Sequence, residues 1–140
     1  MLTEIIVELD DRPGALMSVT QALGKYGIDI RGMNVSPQGQ VSLVHLIVDD
    51  CDQAMGILEE MGLRAYKNEV VGVWVDDNPG SLNPILSVFK EQEENIHLIY
   101  PFIDKTTGNI GVAIITKDAI KAKELMKKNR ITIVKKEEVD

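Results

Sequence analysis

Hydrophobic and polar residues alternate over several short stretches of the chain. Residues 3–9 place Ile5, Val7 and Leu9 on one side and mainly polar side chains on the other. This alternation predicts a strand with one buried face. Over residues 16–26 the apolar positions change to helical spacing, so a helix is expected to follow the strand.

The same two periods continue along the chain and predict a repeated order of elements. The rest of the first half contains an extended segment at 28–36, a turn at 37–40, a strand at 41–48, a helix capped by Asp49 or Asp50, and a strand at 63–67. The second half contains strands at 70–75, 96–103, 110–115 and 131–135, one helix after the first of these strands, and another at 118–128. Each half then has the order β-α-β-β-α-β, with an antiparallel sheet and its helices on one face. The predicted fold class is α+β, with two tandem ferredoxin-like units.

A six-residue motif occurs twice, each time between a predicted strand and a predicted helix. The first copy consists of Asp11, Arg12, Pro13, Gly14, Ala15 and Leu16. The second copy consists of Asp77, Asn78, Pro79, Gly80, Ser81 and Leu82. Pro13 suits the first turn of a helix, where backbone N–H groups lack acceptors and can hold a small anion. These twelve residues are candidate ligand-binding residues, although the motif also suits a tight turn without a ligand.

The repeat extends beyond the motif and divides the chain into two domains. The two motif prolines lie 66 positions apart, and further along Asp29 corresponds to His97 at an offset of 68. We therefore expect one domain at 1–68 and a second at 69–140. Only Asn68 and Glu69 lie between the apolar stretches that end one half and begin the next, so no flexible linker is expected.

Composition narrows the classes of partner. The net charge of −7 disfavours nucleic acid or an anionic membrane surface, and no apolar run approaches the length of a membrane span. The single cysteine, Cys51, excludes an internal disulfide and fits the cytoplasm. His45 and His97 stand apart from any cluster with metal-ligand spacing, so no metal or cofactor is expected. We expect His45, within a strand, to be half-buried and hydrogen-bonded.

With its two Asp-x-Pro-Gly motifs in β-α-β-β-α-β halves, the chain resembles the ACT domain family over nearly its whole length. It looks most like short tandem ACT proteins without an attached enzyme. The resemblance implies binding of a small amino acid or related carboxylate, and regulation of a metabolic enzyme rather than catalysis. It also implies a ligand between neighbouring ACT units, with its carboxylate at loop N–H groups. Since ACT units usually associate, a homodimer is expected.

In the family, the ligand's ammonium is held by a polar loop residue and a polar residue on the second strand. The matching loop residues here are Asp11 and Asp77, and the matching strand residues are Asp29 and His97. Serine-binding members have amides at both positions. Two carboxylates attract an ammonium but repel an incoming carboxylate unless they are well separated, whereas a histidine is a poor partner for an ammonium. If one loop alone binds ligand, we expect it to be the first.

Two other functions fit the same topology. One is a protein–protein interaction or dimerisation module that needs no ligand. The other is a small acylphosphatase-like enzyme, which requires a glycine-rich anion loop bearing an arginine. Arg12 is present, but the rest of that loop sequence is not, and the chain has no motif for nucleophilic catalysis or nucleotide binding. We therefore expect a protein that is not an enzyme.

Overall fold

The computed structural model describes all residues from Met1 to Asp140 and contains four α-helices and six strands. The elements of the first half are β1 (Leu2–Asp10), α1 (Ala15–Lys25), β2 (Ile30–Gln38), β3 (Val41–Val48) and α2 (Cys51–Glu60). They are followed by β4 (Ala65–Val75), α3 (Asn83–Glu91), β5 (Leu98–Ile103), β6 (Ile110–Ile115), α4 (Ala119–Lys128) and a short 3₁₀ helix (Lys136–Glu138). The chain divides into two compact units. The first unit is Thr3–Asn68 with Asp140, and the second is Glu69–Val139 with Met1–Leu2.

In the first unit, the strands and helices have the arrangement that the hydrophobic pattern predicts. β1 pairs antiparallel with β3, and β3 pairs antiparallel with β2. The Glu8 N–H donates to the Arg64 carbonyl, which adds the chain before β4 on the other side of β1. Ile5, Val7 and Leu9 are buried against α1 and α2. The alternation of residues 3–9 therefore predicted the buried face of this sheet.

The second unit has the corresponding sheet, in which β4 pairs with β6 and β6 pairs with β5, both antiparallel. Its core lies between this sheet and the buried faces of α3 and α4. The predicted strand at 131–135 is reduced to one bridge between Val73 and Ile133. The chain leaves the sheet because Lys135 is the N-cap residue of the 3₁₀ helix. The Glu138 carboxylate accepts from the Lys135 N–H and from Trp74 Nε1.

Two further predictions need correction. The separate strands expected at 63–67 and 70–75 form one continuous strand, β4, because nothing in the sequence between Asn68 and Val70 interrupts extended backbone. The turn expected at 37–40 is shorter than predicted. β2 continues to Gln38, so Gly39 and Gln40 alone form the hairpin turn, with Gly39 at φ +74°.

None of the helices combines the length and the apolar character that crossing a bilayer requires.

Candidate functional site

The first motif forms a tight turn that starts α1. The Ala15 N–H donates to the Arg12 carbonyl at 3.3 Å, and Gly14 is the N-cap residue, with φ +87°. This positive φ explains the glycine, since residues with a Cβ are strained there. The sequence predicts Pro13 in the first turn of the helix. In the structure Pro13 instead precedes the helix, which begins at Ala15. No side chain caps the helix, so its first N–H groups are not covered.

Two consecutive backbone N–H groups are open to a ligand at this turn. The Ser18 N–H donates to the Gly14 carbonyl at 3.0 Å, which begins the regular helical hydrogen bonds. The N–H groups of Leu16 and Met17, which are the two residues before Ser18, have no acceptor. N–H groups at the start of a helix carry a positive partial charge. A carboxylate placed here would accept both hydrogen bonds.

The second motif begins with the same turn but continues differently. The Ser81 N–H donates to the Asn78 carbonyl at 3.1 Å, as Ala15 does to Arg12. The next turn is then closed by the Asn83 N–H, which donates to the Gly80 carbonyl at 3.0 Å. α3 begins at Asn83, two residues later in the repeat than α1 does, and Pro84 in its first turn has no N–H. The start of α3 therefore does not offer a consecutive pair of free N–H groups.

A pocket lies beside each loop, on the helix-bearing side of the sheet. Beside the first loop the volume is about 110 Å³, and the wall includes Leu16, Val35 and Val44. The equivalent pocket beside the second loop is about 380 Å³ and is lined by residues of the loop and of three strands. These residues are Val75, Asp76, Asp77, Asn78, Ser81, Leu82, Ile99, Tyr100, Pro101, Ile110 and Val112.

The first loop also borders a larger pocket, of about 390 Å³, on its other side. Arg12 and Arg64 line it together with Glu8 and Asp10. Each arginine is already beside a carboxylate, with Arg12 Nε 3.7 Å from Asp10 Oδ2 and an Arg64 guanidinium nitrogen 3.5 Å from Glu8 Oε2. The positive charge of this pocket is therefore largely neutralised.

The predicted strand residues do not lie near the loop of their own unit. Asp29 precedes β2 at the end where Ile30 pairs with Val48, whereas the Asp11 N–H donates to Gln40, beyond the opposite end of β3. The length of β3 separates these two positions by roughly 24 Å. The Asp29 carboxylate is instead 2.6 Å from an Arg31 guanidinium nitrogen. One small ligand cannot touch Asp11 and Asp29 of the same unit.

The second unit has the same separation. Asp77 follows Val75, which pairs with Ile110, whereas the His97 N–H donates to Ile115 at the other end of β6. The two positions lie roughly 17 Å apart along the strand. His97 is exposed and is not part of the wall of the pocket beside the second loop.

The sequence prediction missed the strand residues that form the pocket walls. Val35 and Val44 in the first unit, and Ile99, Ile110 and Val112 in the second, were assigned only to strands. A signal was available, because antiparallel pairing brings the start of the third strand of each half beside the end of the first. Residues at that end must then face the loop that follows the first strand.

The first unit also contains a buried polar cluster away from the loops. His45 Nδ1 and Glu4 Oε1 are 2.9 Å apart, and Asn68 Nδ2 donates to Glu4 Oε2 at 2.8 Å. Glu4 is fully buried and His45 is 8% exposed. The expected hydrogen-bonded histidine is confirmed, although it is more deeply buried than predicted. No group of three His, Cys, Asp or Glu side chains converges in a way that would hold a metal ion.

Two lysine side chains outside the pockets have raised pKa values. A hydrogen bond to the Asp52 carboxylate raises the pKa of the Lys67 ammonium, and a hydrogen bond to Glu94 raises the pKa of Lys121. Neither lysine lines a pocket beside a loop.

Two similar α+β units in one chain, each with a strand-to-helix Pro-Gly loop beside a pocket, define a tandem repeat of one small domain. The model of the ACT domain pair family matches residues 1–140, and the chain belongs to that family.

Solved structures share this fold at low sequence identity. A protein of Bacteroides thetaiotaomicron is 21% identical, with a TM-score of 0.87 over 99% of this chain and 94% of that one. The ligand-free regulatory subunit of aspartate kinase from Thermus thermophilus is 21% identical, with a TM-score of 0.60 over 91% of each chain. The corresponding subunit from Thermus flavus is also 21% identical, with a TM-score of 0.55 over 91% of this chain and 92% of that one. A comparison with curated protein sequences found no match.

Proposed function

We propose that this protein is a non-catalytic regulatory protein that binds a small amino acid, or a related carboxylate, at its Pro-Gly loops. One observation carries the proposal: both halves of an ACT domain pair keep the strand–Asp-x-Pro-Gly–helix loop, and each loop borders a pocket. A tight turn needs no adjacent pocket, so the presence of a loop and a pocket in both halves favours ligand binding.

The polar groups of the first loop suit the two charged groups of an amino acid. The Leu16 and Met17 N–H groups can both donate to the α-carboxylate. Asp11, at the wall of the same pocket, is an exposed carboxylate without an ion-pair partner. The α-ammonium of the ligand can therefore approach Asp11 while its α-carboxylate lies at the start of α1.

The two loops favour ligands of different size. The first offers the better pair of hydrogen-bond donors but only about 110 Å³ of space, which suits an amino acid with a small side chain. The second lacks the paired donors at its helix start and offers about 380 Å³, within the usual range for ligand pockets. We therefore propose that a small, polar ligand binds at the first loop.

Binding would regulate a partner by stabilising one arrangement of the protein over another. A ligand shifts such an equilibrium only as far as its affinities for the two arrangements differ. Two similar structures are regulatory subunits of aspartate kinase, and we infer by analogy that the partner here is an enzyme of amino-acid metabolism. We also propose that the protein is cytoplasmic and acts as a homodimer.

The test is a screen of the twenty amino acids by thermal unfolding and by isothermal titration. At least one should raise the melting temperature, because a ligand at about 100 times its Kd stabilises the folded state by about 2.7 kcal/mol. Asp11→Asn should weaken binding at the first loop and Asp77→Asn at the second. Glu60→Gln and Glu91→Gln are matched controls, since each removes an exposed carboxylate that does not line these pockets.

Binding that is lost only in Asp11→Asn or Asp77→Asn supports the proposal. If no amino acid binds, the proposed function is wrong and a ligand-independent interaction module becomes the better hypothesis.

A further inference from the structure

We propose that the pocket beside the second loop selects an amino acid with a large apolar side chain, such as leucine or phenylalanine. This inference rests on the proposed function and specifies the ligand at one of the two loops.

The floor of this pocket is apolar. Val75 at the end of β4 pairs with Ile110, and Pro101 on β5 pairs with Val112, so the aligned side chains form a continuous surface. Ile99 extends it along β5. The acidic side chains of the wall, including Asp77, belong to the loop. A charged ligand side chain lying on this floor would lose its hydration without gaining a partner, whereas an apolar one would gain from burial.

The second pocket has room for such a side chain because its loop is differently built. Leu16 packs onto the core of the first unit and narrows the pocket there. Its counterpart Leu82 is 36% exposed, since the additional turn closed by Asn83 and Gly80 delays the start of α3. The pocket beside the second loop therefore has a volume of about 380 Å³, whereas the pocket beside the first loop has about 110 Å³.

The opposite wall of the pocket supplies partners for the charged end of an amino acid. Asp77 makes no ion pair within the unit and can attract an α-ammonium. The Leu82 N–H has no backbone acceptor and can donate to an α-carboxylate. With both charged groups at the loop, the ligand side chain extends over Ile110 and Val112.

Position 110 distinguishes the two units and provides the test. Ile110 corresponds to Ser42 in the first unit, and Ile110→Ser gives the second pocket the residue of the first. Ile110 is 43% exposed, so the substitution should not unfold the unit. Ile103→Ser is the matched control, because Ile103 pairs with Ile110, is 54% exposed and does not line the pocket.

Binding is best followed by tryptophan fluorescence, since Trp74 is the single tryptophan and lies beside Val75 in the second unit. Titration of the whole protein with leucine, phenylalanine, alanine, serine and aspartate should give leucine or phenylalanine a Kd about ten-fold or more below that of alanine. Ile110→Ser should weaken leucine binding about ten-fold and change alanine binding by about two-fold or less. Ile103→Ser should bind as the unchanged protein does.

Tighter binding of alanine, serine or aspartate than of leucine and phenylalanine would overturn the inference and leave the proposed function standing. Equal weakening by Ile110→Ser and Ile103→Ser would also overturn it, because the loss would then not come from the pocket floor. Absence of binding by all twenty amino acids, in both fluorescence and calorimetry, would instead contradict the proposed function itself.

Discussion

The two Pro-Gly loops share a sequence motif and a first turn but differ in what they offer a ligand. The first loop leaves two consecutive N–H groups open, at Leu16 and Met17, beside a pocket of about 110 Å³. The second uses the N–H of Asn83 to close an additional turn and borders a pocket of about 380 Å³. A turn that is repeated within one chain can therefore border two pockets of different size.

The sheets of the two units differ on the side away from the helices. The first unit buries Glu4 and His45 there, in contact with each other and with Asn68. In the second unit the same side of the sheet holds Phe102 against Trp74, with ring centroids 5.7 Å apart. One unit is thus stabilised there by a polar cluster and the other by aromatic packing.

The largest effect is expected from breaking the polar cluster of the first unit. Glu4→Ala removes the partner of His45 and Asn68 at a fully buried position. Removing the partner of a buried polar group costs about 1–3 kcal/mol for each group left behind, and two groups are affected here, so urea unfolding should show a decrease of about 2–5 kcal/mol in the free energy of unfolding. Glu8→Ala, further along β1 and paired with exposed Arg64, is the control and should cost about 1 kcal/mol or less. Equal losses in the two variants would show that burial of the cluster is unimportant.

A somewhat smaller loss is expected from overpacking the aromatic side of the second unit. A Cβ at Gly111 would lie 2.3 Å from the Phe102 ring, so Gly111→Ala should decrease stability by about 1–3 kcal/mol. Gly56→Ala is the control in the first unit, because Gly56 lies within α2 with no atom near its Cβ position. That change should increase stability by about 0.5–1 kcal/mol. A neutral Gly111→Ala in calorimetric unfolding would contradict close packing of Phe102.

A third prediction concerns a feature that the two units share. Asp50 and Asp118 occupy the N-cap positions of α2 and α4, and each accepts a hydrogen bond from the N–H three residues later. Replacement of either by alanine should cost about 1 kcal/mol, measured by chemical denaturation. Replacement by asparagine should restore most of the loss. A large difference between Asp50→Ala and Asp118→Ala would show that the two caps are not equivalent.

The smallest effect concerns alkaline pH. Hydrogen bonds to Asp52 and Glu94 raise the pKa values of Lys67 and Lys121 above their ordinary value of 10.5. A raised folded-state pKa stabilises the fold below the ordinary value, and this contribution is lost as the pH rises through the folded-state pKa. Because both lysines are exposed, the loss should be slight. Lys67→Gln and Lys121→Gln should each flatten the decrease in melting temperature above about pH 10.5, and an unchanged slope in both variants would contradict the assignment.

Local sequence patterns predicted most of the fold. Alternation identified the buried face of β1, and the spacing of apolar residues together with Asp50 and Asp118 identified α2 and α4. The last strand was mispredicted because Lys135 and Glu138 form a local capping interaction that competes with the sheet. Such competition between local and long-range hydrogen bonds is not visible in the periodicity.

The candidate site was predicted less completely than the fold. The motif located both loops, but the pocket walls depend on which strand ends meet, as Ile110 and Val75 do. The difference in volume arises from the start of α3, which Pro84 and the Asn83 N–H determine together. The burial of Glu4 was also missed, because its partners lie 41 and 64 positions away in sequence.

The most direct test of amino-acid binding is an NMR titration that follows the backbone amides of the ¹⁵N-labelled protein. We predict that a bound amino acid shifts the amide signals of Leu16 and Met17 at the first loop, or of Leu82 at the second, since these N–H groups lack acceptors. A small amino acid should act mainly at the first loop and a large apolar one at the second. Unchanged signals at both loops with all twenty amino acids would contradict binding at the Pro-Gly loops.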